Sequence, residues 1–405
     1  MDKETKTKLL QLGLFVLTLI TTTLAGTEWA MGKFLFLTGI SWDDFLFGFS
    51  FSIPFLGILT VHEFGHYFTA KFHRIKVSLP YYIPVWFGIS PSLGTMGAFI
   101  RIKENIESRL KYFDVGVSGP ISGFVVAVIC LVYGFQTLPE TEYIYEMHPE
   151  YEIFGENFEA RMEGLDTLIL KTSLNPDRMS YDMLPDTIDT SATGALFFGD
   201  NILMSLGRKY LAPDDRYVPS SKELMHYPVL LAAYLAFFFT ALNLLPIGQL
   251  DGGHVLFGLF GPKKHAIISR ILFTVFLFYA GLGWVDMADL NGTTIEALTN
   301  FLISIAAYLF IVYMCAFSMF KEKRDRLLYA TIMLTVQFFI SSFFQIEGYQ
   351  GWLLFSLLIG RFIGVDHPPV REDKPLDLNR QILGWIALVI FVLCFSPQPL
   401  VVEGF

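Results

Sequence analysis

The chain has 405 residues, of which 53% are hydrophobic, 16% aromatic and only 17% charged, with a mean hydropathy of +0.50 and a formal net charge of −9. That balance describes a polytopic membrane protein and excludes nucleic acid as a partner, because no basic patch stands out to neutralise phosphates. Cys130, Cys315 and Cys394 all fall in apolar stretches, so they read as inert core thiols with no disulfide framework.

Taken in chain order, apolar stretches near the ~20 residues a bilayer requires lie at about 9–25, 45–70, 113–137, 224–247, 265–285, 298–320, 327–345 and 380–397, with a shorter one at 351–365. Met1 to Lys8 is short and polar, and no small-x-small cleavage site precedes Gly26, so the first stretch is expected to be a retained anchor. The connections alternate in charge. Lys3, Lys6 and Lys8 precede the first stretch, the 71–112 connection carries Lys71, Arg74, Lys76, Arg101, Lys103, Arg109 and Lys111, and Lys263, Lys264, Lys321, Lys323, Arg324 and Arg326 mark later ones. The intervening connections are acidic or nearly free of Lys and Arg, and between Glu140 and Glu223 there are 17 Asp/Glu against 7 Lys/Arg. By the positive-inside rule the N-terminus is cytoplasmic and the acidic 138–223 insertion is outside. The expected fold is therefore an all-α, multi-pass integral membrane protein with nine transmembrane helices if 351–365 crosses and eight if it does not. His367-Pro368-Pro369 ends that segment, since proline denies the helix a donor and a helical preceding residue; His367 reads as a polar loop residue and not as a ligand. No plant-type transit sequence is evident, and the expected location is a bacterial plasma (inner) membrane.

His62-Glu63-Phe-Gly-His66 lies inside the 45–70 stretch. Positions four apart share a helix face, so both imidazoles can grip one Zn²⁺ while Glu63 addresses the water to be activated. Ionisable groups at the bilayer centre cost roughly 2.5 kcal/mol or more each, and a metal site recovers that cost. A hydrolytic zinc site has three protein ligands and one open position. The third must reach the same depth, and Asn243-Leu-Leu-Pro246-Ile-Gly-Gln-Leu-Asp251-Gly252-Gly253-His254 closes the 224–247 stretch at the same side as His66; Pro246, Gly248 and the glycine pair are expected to break the helix and turn Asp251 inward. His254 reads either as a donor that orients a ligand or as a polar interface residue. Between these halves, residues 78–103 are apolar but broken by Pro80, Pro84, Gly88, Pro91, Gly94 and Gly97, a pattern suited to a short membrane-associated β-like segment against a water-filled cavity.

These paired motifs resemble the site-2 protease family of intramembrane zinc metalloproteases, peptidase M50. The likeness covers about 45–262 and includes Gly94-Thr95-Met-Gly97, Phe113-Asp114-Val-Gly and Gly119-Pro-Ile-Ser-Gly123. The branch without a PDZ module fits best, because 138–223 shows little strand alternation. The resemblance implies that His62, His66 and Asp251 bind one catalytic Zn²⁺, that Glu63 is the base and that Asn243 assists at the reacting carbonyl. It also implies substrate-positioning parts for Gly94, Thr95, Gly97, Gly119, Gly123 and His254, although helix packing alone accounts for Gly119 to Gly123. Three parts are expected: an anchor and loop at 1–44, the catalytic core at 45–262 with its insertion, and added spans at 263–405. The partners expected are a transmembrane protein or peptide substrate and the lipid bilayer, with the oligomeric state open. Two rival readings are a catalytically inactive relative that binds membrane clients and a zinc transporter. The second calls for ligands spread through several spans, whereas only His62, His66 and possibly His226 are expected at such depth.

Overall fold

Helix α1 (Lys3–Met31) starts at Asp2, whose side chain accepts from the Thr5 N–H, and stops at Gly32 in the left-handed conformation. Its polarity is inverted relative to a soluble helix: Gln11, Thr18, Thr22 and Thr23 are buried while Leu9, Leu12, Val16 and Ile20 are exposed. An apolar outer face with polar groups turned inward suits a lipid solvent. The computed structural model describes residues 2–90, 92–140, 142–148, 195–214, 217–286 and 295–403, so most of the acidic 138–223 insertion lies outside the described residues.

Two short helices, α2 (Leu35–Thr38) and α3 (Trp42–Phe47), lead into α4 (Phe49–Phe72). The Pro/Gly-rich segment then forms the expected strands, β1 (Tyr81–Pro84) and β2 (Thr95–Phe99), paired antiparallel with Tyr81 opposite Phe99. After α5 (Arg109–Gln136) come α6 (Glu142–Met147), β3 (Ala195–Phe197) and α7 (Ile202–Tyr210). Helix α8 (Pro228–Leu244) follows, opened by a proline whose missing N–H costs nothing at that position. The C-terminal part comprises α9 (Asp251–Gly281), α10 (Ile295–Cys315), α11 (Lys323–Phe344), α12 (Trp352–Leu358), α13 (Leu378–Cys394) and β4 (Val401–Glu403), which pairs with β3.

Among the described residues, six helical segments are long and apolar enough to cross a membrane, and the apolar helices Pro228–Leu244, Trp352–Ile363 and Leu378–Cys394 are shorter. The protein is an all-α polytopic membrane protein with a small β-hairpin. Two expectations change. The 265–285 stretch belongs mostly to α9, which begins at Asp251 and is two helices joined at Gly261, whose φ of 75° and ψ of 175° are not helical, just before Pro262; His265 therefore joins the histidines on a membrane-length helix, while His254 lies on the short helix ahead of the break. The 351–365 segment is α12 followed by a π-turn at Ile359–Ile363, and at 1.5 Å per residue it reaches roughly 18 Å, short of a ~30 Å hydrocarbon core.

The site is framed by α4, α5 and α8, which share one core containing Phe51, Phe55, Phe113, Phe135, Leu230 and Phe237. A second core joins α9 to α12 through Phe273, Leu277, Tyr308, Trp352 and Ile359. The C-terminal helices also reach back to the first core. Arg109 donates to the Gly258 carbonyl at 2.9 Å and to Asp373 at 2.9 Å, and Arg380 donates to Asp114 at 2.7 Å.

Candidate zinc centre

One turn of α4 separates His62 from His66, and their Nε2 atoms stand 3.1 Å apart with the rings edge to face. Asp251 opens α9 and brings Oδ2 to 3.3 Å from His66 Nε2 and 3.7 Å from His62 Nε2. All three donors lie within 4.8 Å of one another. Chain reversal between Leu244 and Asp251 creates this meeting. A Cβ on Gly252 would lie 1.9 Å from the Leu244 carbonyl oxygen and one on Gly253 2.2 Å from that of Gly248. The glycine pair thus lets α9 start folded against the end of α8. Pro246 and Gly248 do lie in the break, as expected, but Gly252 and Gly253 sit inside α9 and do not break a helix.

A glycine stripe on α5 carries the site from below. Gly116, Gly119 and Gly123 are spaced three and four apart and so share one face. A Cβ at Gly119 would stand 2.1 Å from His66 Nε2, one at Gly123 3.0 Å from His62 Cβ, and one at Gly116 2.7 Å from His254 Cβ. Gly119 and Gly123 are therefore floor positions under the two imidazoles. Gly65 of α4 returns the fit, since its Cβ would meet Ser122 Oγ at 2.4 Å.

His62, Glu63 and His66 are all buried, and with Asn243, Asp251 and His254 they line a cavity of about 340 Å³. Asn243, near the end of α8, places Nδ2 3.4 Å from His62 Nε2. The opposite wall is β2, from Thr95 to Phe99, continued by Ile100 and Ile102. Thr95 braces that wall by donating to the Ile83 carbonyl at 2.9 Å and accepting from the Gly97 N–H at 3.0 Å. Gly94 does something else: its Cβ would meet Thr22 Cα at 2.3 Å, so it seats the hairpin on α1 outside the cavity.

Zinc fits this donor set. His66 Nδ1 lies 2.7 Å from the Val115 carbonyl, an acceptor only, so that nitrogen carries the proton and Nε2 turns its lone pair toward Asp251 and His62. The two imidazoles and one carboxylate, converging beside an open cavity, are a zinc-type set with room for a further oxygen ligand.

Supporting residues that the sequence reading missed come from far along the chain. His367 is not a solvated loop residue: its ring stacks on Phe257 at 3.7 Å and its Nε2 lies 2.9 Å from His254 Nδ1. Burial, helped by neighbouring His254 and His265, pushes His367 down to about 3. Asp114 gathers His73 Nε2 at 2.8 Å and the Arg380 guanidinium at 2.7 and 2.9 Å beneath the α4–α5 pair. The signal for Asp114 was its place in the Phe113-Asp114-Val-Gly motif; nothing local marks His73 or Arg380 as its counterparts, or His367 as that of His254.

A model of peptidase family M50 matches residues 50–281, more than half of the chain and every residue that lines the cavity. Among curated proteins, the chain is similar to a probable zinc metalloprotease EGY2, chloroplastic, of Oryza sativa subsp. indica, at 25% identity over 214 residues, 53% of this chain and 30% of that protein. It is similar also to a probable zinc metalloprotease EGY1, chloroplastic, of Arabidopsis thaliana, at 26% identity over 214 residues, with 53% and 30% covered. The match to a probable zinc metalloprotease EGY3, chloroplastic, of Oryza sativa subsp. indica is 24% identical over 255 residues, covering 60% of this chain and 35% of that protein. The chain thus spans about a third of the length of these curated relatives. No solved structure matches.

Proposed function

The chain belongs to peptidase family M50, and from that premise we propose that it is an intramembrane zinc metalloendopeptidase that hydrolyses peptide bonds in or near transmembrane segments of other proteins. The observation that carries this reading is the convergence of His62, His66 and Asp251 with the buried Glu63 in one cavity walled by a β-strand. His62 Nε2, His66 Nε2 and Asp251 Oδ2 would hold the ion. Zinc, when bound, supplies Lewis acidity, polarising the scissile carbonyl and making water easier to deprotonate near neutral pH.

The rest of the chemistry belongs to the chain. Glu63 takes the proton of the attacking water and passes it to the leaving amine, general acid–base work for a carboxylate shielded from bulk solvent. Asn243 donates an amide N–H to the oxygen that gains charge, a contribution of about 3 kcal/mol for a typical oxyanion donor. A helical substrate hides its amides and must unwind first. The β2 wall offers main-chain groups to an extended segment, and the cavity beside it admits water to a site otherwise enclosed by apolar helices. His254, bonded to His367, is proposed to hold the start of α9 in place over Gly116.

The catalytic unit is proposed to be 45–262, with 1–44 and 263–405 as bracing spans. The N-terminus is proposed to face the cytoplasm, on the charge alternation of the connections. Impermeant labelling of single cysteines at Lys111 and Glu156 checks it: on intact cells Glu156→Cys should label and Lys111→Cys should not. The relatives named above are chloroplastic in plants, while a bacterial plasma membrane is the proposed location here.

The purified full chain should cleave a fluorescent reporter bearing one transmembrane helix, lose that activity to a chelator and regain it with Zn²⁺. Cleavage that survives complete zinc removal overturns the reading, and zinc flux into liposomes without any cleavage selects the transporter instead.

A further inference from the structure

A second group with the same donor types stands near the opposite end of α8. His226 closes a short 3-10 turn (Leu224–His226) just before Pro228, while Asn243 at the first centre lies near the other end of that helix. At 1.5 Å per residue, about 25 Å separates them. His148, just after α6, brings Nε2 to 3.0 Å from His226 Nε2, and Glu223 Oε2 lies 3.7 Å from each of the two nitrogens. The three donors lie within 4.8 Å of one another. His226 Nδ1 is 2.6 Å from the Ala30 carbonyl, which accepts only, so Nδ1 is protonated and Nε2 presents its lone pair. The Tyr143 hydroxyl donates to the His226 carbonyl at 2.5 Å, holding α6 against the turn.

We propose that His148, Glu223 and His226 form a second divalent-cation site of the zinc class, one that fastens the start of the 149–222 segment to its end. Two imidazole nitrogens with one carboxylate select zinc-class ions over Ca²⁺ or Mg²⁺, which take oxygen ligands. Access is from one side: the side chains of His226 and Glu223 are 4% and 10% exposed, while that of His148 is 29% exposed. His148 and Glu223 are far apart in sequence, and an ion gripping both ties together the two ends of the intervening chain, so its binding energy offsets the entropy of bringing them together. The site shares no residue with the first centre and acts as a clasp at the neck of the insertion. The competing reading is a hydrogen bond between the two imidazoles with no ion.

Counting zinc in tag-free, full-length protein after equilibration with Zn²⁺ and desalting decides between them. Wild type should hold about two ions per chain and His148→Ala about one, one for each three-ligand set left intact. His62→Ala with His66→Ala should also hold about one, and adding His148→Ala to that pair should take the count to about zero. In His148→Ala the ion kept at His62, His66 and Asp251 shows that the chain is folded, which the absorption of a Co²⁺-substituted preparation of the same variant confirms. An equal count in wild type and His148→Ala overturns the proposal, whatever becomes of the peptidase reading.

Discussion

At His62, His66 and Asp251 two imidazole nitrogens stand 3.1 Å apart with one ring pinned to the Val115 carbonyl; at His148, His226 and Glu223 they stand 3.0 Å apart with one ring pinned to that of Ala30. The clusters diverge in what surrounds them. Beside the first are the buried Glu63, the Asn243 amide, a cavity of about 340 Å³ and a β-strand wall. Among the described residues, the second has the Ala30 carbonyl and the Tyr143 hydroxyl beside it, which secure the position of His226. A donor set selects the ion, and its surroundings decide whether that ion serves chemistry or architecture.

That contrast yields graded expectations. Asp251→Ala removes a ligand from the first cluster only, so zinc content should fall by about one ion per chain and cleavage of the reporter should vanish. An unchanged zinc count would mean that another side chain completes the site. Asn243→Ala should keep its zinc and lose roughly 10²- to 10³-fold in kcat, the usual cost of one oxyanion donor. A fall in zinc content instead would make Asn243 a support for His62. Ala98→Pro deletes one backbone donor from β2 and should slow cleavage of a transmembrane substrate roughly tenfold while sparing a short unstructured peptide. Equal loss on both substrates would turn that wall into simple scaffolding.

The smallest effect concerns the His367 support of the first cluster. Its folded-state pKa, pushed down to about 3 by burial, lies below the ordinary value of 6.5. The unfolded chain therefore binds more protons in that window, and stability is lost as pH falls from about 6.5 toward 3. Melting followed across that range should show a shallower pH dependence in His367→Gln than in wild type, and identical slopes would remove His367 from the account.

The legibility of these features in the sequence follows their range. His62, Glu63 and His66 are one helical turn, and helix periodicity places their side chains without tertiary information. Asp251 was recoverable because a bilayer imposes depth, and depth plus direction paired it with His66. The hairpin was legible in the prolines and glycines of 78–103, which deny that segment a helix. His367 was not, since only the packing of α9 against the 364–369 turn brings it onto Phe257 and His254. The role of Gly252 and Gly253 was misread for a related reason: a glycine that breaks a helix and one that admits a neighbouring backbone look alike in a sequence. The clasp residues His148 and Glu223 lie at the two ends of the acidic insertion, where composition marks solvent exposure and nothing marks their meeting.

Glu63→Gln isolates the difference between the two clusters, because it removes a base and no ligand. Zinc content and cleavage of the single-helix reporter, measured on the same purified sample, should show wild-type zinc with turnover reduced at least 10²-fold. Appreciable cleavage by that zinc-loaded variant would contradict the assignment of Glu63 and, with it, the claim that its surroundings make the first cluster hydrolytic.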